Sequence, residues 1–208
     1  NALRVAGDGR MREVAVAFGG DLLRGNRTTK RHGIGDNPFT SPCTPALARL
    51  AMALQWNDAA PPVPATTAVP DLAPHRQDVR VGVLPVYPGI TGDTVRAMTS
   101  AAPAALILEG YSAGVGPGDD PDFVEAIREA IADGTVVGAI SQGHHGTVRL
   151  GKYASSTPLA DAGLVSGSDI TREAAVAKLH MLCAAGLDAD TVGAAFGRNL
   201  CGELTPSE

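Results

Sequence analysis

The chain has 208 residues, of which 44% are hydrophobic, only 4% aromatic and 19% charged, with a formal net charge of −5. That balance suits a soluble α/β core built from Ala, Val, Leu and Ile. The mild negative charge and the lack of any Lys/Arg cluster argue against a nucleic-acid binder, and no apolar run approaches the roughly 20 residues that span a bilayer.

The chain opens on Asn1-Ala-Leu-Arg-Val-Ala-Gly, which reads as the end of a helix, and Glu13-Val-Ala-Val-Ala-Phe alternates like a strand. The strand runs into Gly19-Gly20-Asp21, a hairpin signal. A polar loop from Gly25 to Pro45 follows, interrupted by Gly33, Gly35, Pro38 and Pro42. The apolar stretch Pro45-Ala-Leu-Ala-Arg-Leu-Ala-Met-Ala-Leu favours a helix in isolation, although tertiary pairing can override that preference. Residues 59–76 carry five prolines, which forbid a continuous helix or central strand and describe a semi-extended linker.

Beyond the linker the pattern alternates regularly. Strands are expected at 79–86, 104–108 and 136–140, with helices at 91–100 and 121–132 and near 157–163, 170–185 and 188–200. Asp188 is placed to cap the last helix, and Gly134 and Gly186 sit where helices should stop. Strand–helix alternation implies parallel strands with right-handed crossovers, and unbroken apolar strands imply cover on both faces. The fold class is therefore α/β: the end of an N-terminal α/β domain (1–58), a linker (59–78), and a smaller parallel-sheet, Rossmann-like C-terminal α/β domain (79–208).

Several residues are candidates for chemistry. Ser141-Gln-Gly-His144-His145-Gly-Thr147 follows the third strand, beyond the strand ends where ligands gather in parallel sheets. Its adjacent histidines diverge and lack a third ligand at a usual spacing, so a polar loop is the expectation rather than a metal site. His180, on the apolar face of a helix, reads as a core histidine. The loop Gly110-Tyr-Ser-Ala-Gly-Val-Gly-Pro-Gly-Asp-Asp is a tight turn or part of a small-molecule site. Pro117 and the acidic Asp119 and Asp120 disfavour a nucleotide there. Lys30, beside Thr28 and Thr29, can tune a neighbouring hydroxyl only if burial lowers its pKa. Cys43, Cys183 and Cys201 include no C-x-x-C pair and read as buried or idle thiols of a reducing compartment.

Taken together, certain segments resemble the L-asparaginase (asparaginase/glutaminase) family, and the cytosolic type I group more than the secreted one. The resemblance rests on Leu23-Arg-Gly-Asn-Arg-Thr-Thr-Lys30 and Gln142-x-x-x-Gly146-x-Val148-x-x-Gly151-x-Tyr153-Ala154. It continues through Ala160-Asp-Ala-Gly163, Ser166-Gly-Ser-Asp-Ile-Thr171, Glu173-Ala-Ala175 and Lys178-Leu-His180 to Asn199-Leu-Cys-Gly-Glu-Leu-Thr205. It covers nearly everything except the proline-rich linker.

The resemblance implies a cytoplasmic homo-oligomer in which active sites form between the N-terminal domain of one subunit and the C-terminal domain of its neighbour. It implies hydrolysis of L-asparagine to aspartate and ammonia by a threonine nucleophile, with no metal or organic cofactor and no nucleic-acid or membrane partner. Lys30 takes the position of the family's catalytic lysine. Two features depart from the pattern. The family's T-G-G-T and H-G-T-D-T motifs occur nowhere in these residues; His145-Gly146-Thr147 imitates the second, but Val148 follows. Many relatives place an asparagine in the glycine loop, where this chain has Pro117 and Asp119. A carboxylate at Asp119, with Ser112 on the same loop, can bind the substrate's ammonium but cannot copy an amide's donor role. The expectation is a C-terminal portion of an asparaginase, inactive alone, that needs a missing N-terminal segment or chain. A non-catalytic binding or assembly module is the alternative.

Overall fold

The computed structural model describes residues 1–64, 76–113 and 116–206. The stretch 65–75, most of the expected linker, and Gly114 and Val115 of the glycine loop lie outside the described residues.

Helix α1 (Ala2–Asp8) ends at Gly9, whose φ of 77° is the left-handed conformation that glycine adopts without strain. Strand β1 (Ala15–Phe18) turns through Gly19 and Gly20, both at positive φ, into β2 (Asp21–Arg24). This is the hairpin that the two glycines signal. A 3-10 turn at Gly25–Arg27 leads to β3 (Thr29–Lys30), which pairs with β4 (Phe39–Thr40). The loop expected to be irregular thus contains a short antiparallel ladder.

The helix favoured at 45–54 does not form. Those residues fold back as β5 (Ala48–Leu50) and β6 (Leu54–Trp56), completing a four-stranded sheet ordered β1-β2-β5-β6. The reason is pairing: Ala48 and Leu50 are buried while Arg49 between them is exposed, the period-2 pattern of a half-covered strand. Leu22, Leu47, Ala48 and Leu50 then share a small core with Val5 of α1.

The second sheet is parallel, ordered β10-β9-β8-β7. Its strands are β7 (Val81–Pro85), β8 (Ala105–Gly110), β9 (Val136–Ser141) and the short edge β10 (Val165–Ser166). Helices α2 (Gly92–Thr99), α3 (Pro121–Ala132) and α4 (Thr157–Asp161) accompany α5 (Arg172–Ala184) and α6 (Ala189–Phe196). All of β8 is buried. Leu106 and Leu108 pack with Phe123, Ile127 and Leu159 on one face, while Ala105 and Ile107 pack with Leu179, Leu182 and Phe196 on the other. Each of the Leu, Ile and Phe side chains contributes roughly 1.5–3 kcal/mol by leaving water. Gly138 on β9 exists because Phe196 lies against it: a Cβ there would sit 2.6 Å from the ring.

The expected cap at Asp188 is present, and Asp120 supplies one that was not expected. Asp188 accepts from the Thr191 amide at 2.8 Å, and Asp120 caps α3 by accepting from Asp122 at 3.0 Å. No helix among the described residues is long and apolar enough to cross a membrane.

Candidate active site

The segment carrying Lys30 continues from β2 and is bonded to the parallel-sheet part through Arg27 and Thr29. The 3-10 turn closes through Thr28 N–H to Gly25 O, and the Thr28 hydroxyl donates to Arg24 O at 2.6 Å. Thr29 Oγ1 donates to Glu173 Oε1 of α5 at 2.6 Å. Lys30 pairs across the ladder with Phe39, and its side chain is exposed with no hydrogen bond or ion pair to the described residues. The neighbouring hydroxyls are thus engaged by Arg24 O and Glu173 rather than by the Lys30 amine.

Beside this segment a cleft of about 240 Å³ opens at the carboxyl ends of the parallel strands. Thr29 and Cys43 line one side, and Glu109, Gln142, Gly143 and Arg172 line the other. Gln142 Nε2 donates to Val86 O at 2.6 Å and Glu109 O at 2.7 Å, tying the strand ends together. Glu109 is only 1% exposed and is neutralised by the fork of Arg172. Ser112 stands at the edge of this region: its carbonyl accepts from Ser141 Oγ at 2.9 Å, and Ser141 Oγ in turn accepts from the Gly143 N–H at 2.9 Å.

Asp119 belongs to a different cavity. That space, about 600 Å³, is bordered by Val86, Tyr87, Ile90, Tyr111, Pro117 and Asp119. Asp119 is exposed, whereas its neighbour Asp120 is used as the cap of α3. Within one copy the structure does not gather Lys30, Ser112 and Asp119 around a common point. Thr147 lines a third cavity with Arg149 and Lys152.

The histidines divide differently from expectation. His145 Nδ1 contacts Pro42 O at 2.5 Å, linking the loop after β9 to the N-terminal part. No group of three His, Cys, Asp or Glu suits a metal ion among the described residues. The expectation of a core His180 is corrected: His180 is exposed and Lys178 is buried in its place. The inward stripe of α5 is Ala175, Lys178, Leu179 and Leu182, spaced i, i+3, i+4 and i+7, and His180 falls one residue off it.

The charged residues that sequence reasoning passed over are the ones most deeply placed. Arg27 is 3% exposed and grips Asp169 through two bonds of 2.8 Å. Burial pushes the Asp169 carboxyl upward, but the Arg27 guanidinium and the Thr205 amide and hydroxyl outweigh it and hold it below the usual range. Lys178 donates to Phe196 O at 2.9 Å, to Arg198 O and to Glu203. Glu203 in turn accepts from the Leu200 and Cys201 amides. Burial also raises Glu203, yet Lys178 and those amides bring it below its ordinary value. The three cysteines are free, and burial pushes the Cys43, Cys183 and Cys201 thiols up.

Residues 80–196 match the profile of the glutaminase/asparaginase C-terminal domain, and residues 1–62 that of the asparaginase N-terminal domain. The chain is 38% identical over 211 residues to L-asparaginase 1 of Escherichia coli K12, covering all of this chain and 61% of that protein. It is 34% identical over 206 residues to a mouse protein named 60 kDa lysophospholipase, covering 98% of this chain and 36% of that one. Among solved structures, L-asparaginase I from Vibrio cholerae superposes with a TM-score of 0.81 at 32% identity, covering 94% of this chain and 58% of that one. The thermostable L-asparaginase from Thermococcus kodakarensis gives 0.83 at 26% identity, covering 99% and 61%. The chain thus spans about three-fifths of the length of these asparaginases.

Proposed function

Because this chain belongs to the glutaminase/asparaginase family, we propose that it is the C-terminal portion of an enzyme that hydrolyses the side-chain amide of L-asparagine to L-aspartate and ammonia. The observation that carries this reading is the Leu23–Lys30 sequence itself, folded as a turn and strand whose lysine faces solvent while Arg27 and Thr29 anchor it to the second domain. Lys30 has no partner among the described residues, so its amine is free to meet a threonine supplied from outside these 208 residues.

The chemistry runs in two steps. A threonine hydroxyl attacks the amide carbon, its proton is passed on to the departing nitrogen, and ammonia leaves an acyl-threonine ester. Water then cleaves the ester to release aspartate. Lys30 serves the proton movement, and backbone amides at the oxyanion stabilise the developing charge. In a homo-oligomer, the exposed Asp119 carboxylate of a neighbouring copy meets the substrate's ammonium, with Ser112 on the same loop. No cofactor enters this scheme. The domain division at 1–58, 59–78 and 79–208 belongs to the same reading.

The test is ammonia release from asparagine, run beside native and denatured intact-mass analysis. A second component carrying the two threonine motifs and ammonia in the assay are the expected results. Lys30→Ala should then cut kcat by about 10²–10⁴-fold, and Asp119→Asn should raise KM with little change in kcat. An assembly that keeps full activity as Lys30→Ala removes Lys30 from the chemistry. A complete assembly that hydrolyses no amide leaves a binding module.

A further inference from the structure

Lys30 holds its own position weakly: it is exposed, sits in a two-residue strand and has no side-chain partner among the described residues. Three residues earlier, Arg27 is among the most heavily bonded side chains of the protein. Its Nη1 donates to Asp169 Oδ1 at 2.8 Å and Glu203 O at 2.9 Å. Its Nη2 donates to Asp169 Oδ2 at 2.8 Å, to Cys43 O at 3.2 Å and to Thr205 Oγ1 at 3.2 Å. Asp169 and Thr205 belong to the parallel-sheet part, while Cys43 belongs to the same N-terminal stretch as Arg27.

The receiving side is itself hydrogen-bonded. Asp169 follows Ser168, a non-glycine residue held at φ 55°, whose hydroxyl donates to Thr205 O at 2.8 Å. Asp169 also accepts from the Thr205 amide and hydroxyl, each at 2.7 Å. A strained backbone persists only where its surroundings over-determine it. The socket is therefore held by bonds within the parallel-sheet part as well as by Arg27, and Thr29 adds a second tether to Glu173.

We propose that Arg27 is a positioning residue for the proposed reaction: by docking into the Asp169–Thr205 socket, it makes the C-terminal domain fix where the Lys30 amine stands. The inference rests on the reading of Lys30 as a participant in amide hydrolysis. Arg27 touches no substrate; it acts through the strand it anchors. Lysine cannot replace it, because one ammonium cannot reproduce a planar fork on both carboxylate oxygens together with bonds to two carbonyls.

The experiment uses the active assembly, with the threonine-bearing segment present, and compares wild type with Arg27→Lys, Asp169→Asn, Lys30→Ala and Gly138→Ala. The last disturbs the core against Phe196 without touching the socket. Arg27→Lys and Asp169→Asn are expected to lower kcat by about 10²-fold while KM changes by less than about threefold, the cost of a misplaced group. Hydrogen exchange should accelerate at residues 24–31 and stay unchanged in β8 and β9. Gly138→Ala should leave kcat within about twofold. Arg27→Lys with normal kcat, or with exchange accelerated equally everywhere, overturns the proposal. If wild type releases no ammonia, or Lys30→Ala releases it normally, the catalytic reading of Lys30 fails. The exchange comparison then decides separately whether Arg27 fixes the segment.

Discussion

Replacing Lys178 by methionine keeps most of the side-chain volume and removes the charge. Its ammonium lies on α5 beneath the C-terminal segment, with side-chain exposures of 6% for Lys178 and 3% for Glu203. The substitution strips three acceptors at once: the carbonyls of Phe196 and Arg198, and Glu203 Oε1. Breaking one side of a buried ion pair costs about 3–5 kcal/mol, because the partner charge stays behind without compensation. For a chain of this size each kcal/mol moves Tm by about 2–4 °C, so the expected fall is roughly 6–20 °C. Urea titration followed by circular dichroism gives the free energy directly. Glu203→Gln should cost a similar amount, and the double variant Lys178→Met/Glu203→Gln should cost clearly less than the two added together. A Lys178→Met protein within about 1 kcal/mol of wild type would refute the argument, since the desolvation penalty of a lone buried carboxylate would then be absent.

Gly138→Ala should destabilise by about 1–3 kcal/mol through overpacking against Phe196. Gly7→Ala, in α1 with nothing within 4 Å of its new Cβ, should be stabilising by up to about 1 kcal/mol; urea midpoints of the pair compare the two directions. Acid stability follows from Asp169 and Glu203, both held below their ordinary values when folded. Their contribution is complete above the unfolded carboxyl values of about 4 and is lost as pH falls through the lower folded values. The urea midpoint should therefore decline below about pH 4, and Asp169→Asn should flatten that decline. A wild-type midpoint constant from pH 6 to 3 would contradict it.

The parallel-sheet half was legible because its signals are local and agree with one another. Unbroken apolar runs at β8 and β9 fit strands covered on both faces, Asp188 caps the start of α6 as expected, and Gly134 and Gly186, at positive φ, follow α3 and α5 where those helices were expected to stop. The Gly19-Gly20 hairpin was legible for the same reason. The stretch 45–54 was not, because Ala, Leu and Met favour a helix alone, whereas a neighbouring strand with Leu22 already buried rewards pairing.

The candidate site divides along the same line. Lys30 emerges from a contiguous run of eight residues, Leu23 to Lys30, that the sequence carries intact. The buried charge pairs do not emerge that way. Arg27 and Asp169 are separated by 142 residues, and Lys178 and Glu203 by 25. Nothing in local pattern says that an arginine in a polar loop is buried, and the helical stripe that turns Lys178 inward and His180 outward does not say which charge meets the ammonium there. Composition and periodicity report which faces prefer water. Which charge may leave water depends on an opposite charge arriving from a distant part of the chain, and only the tertiary structure decides that.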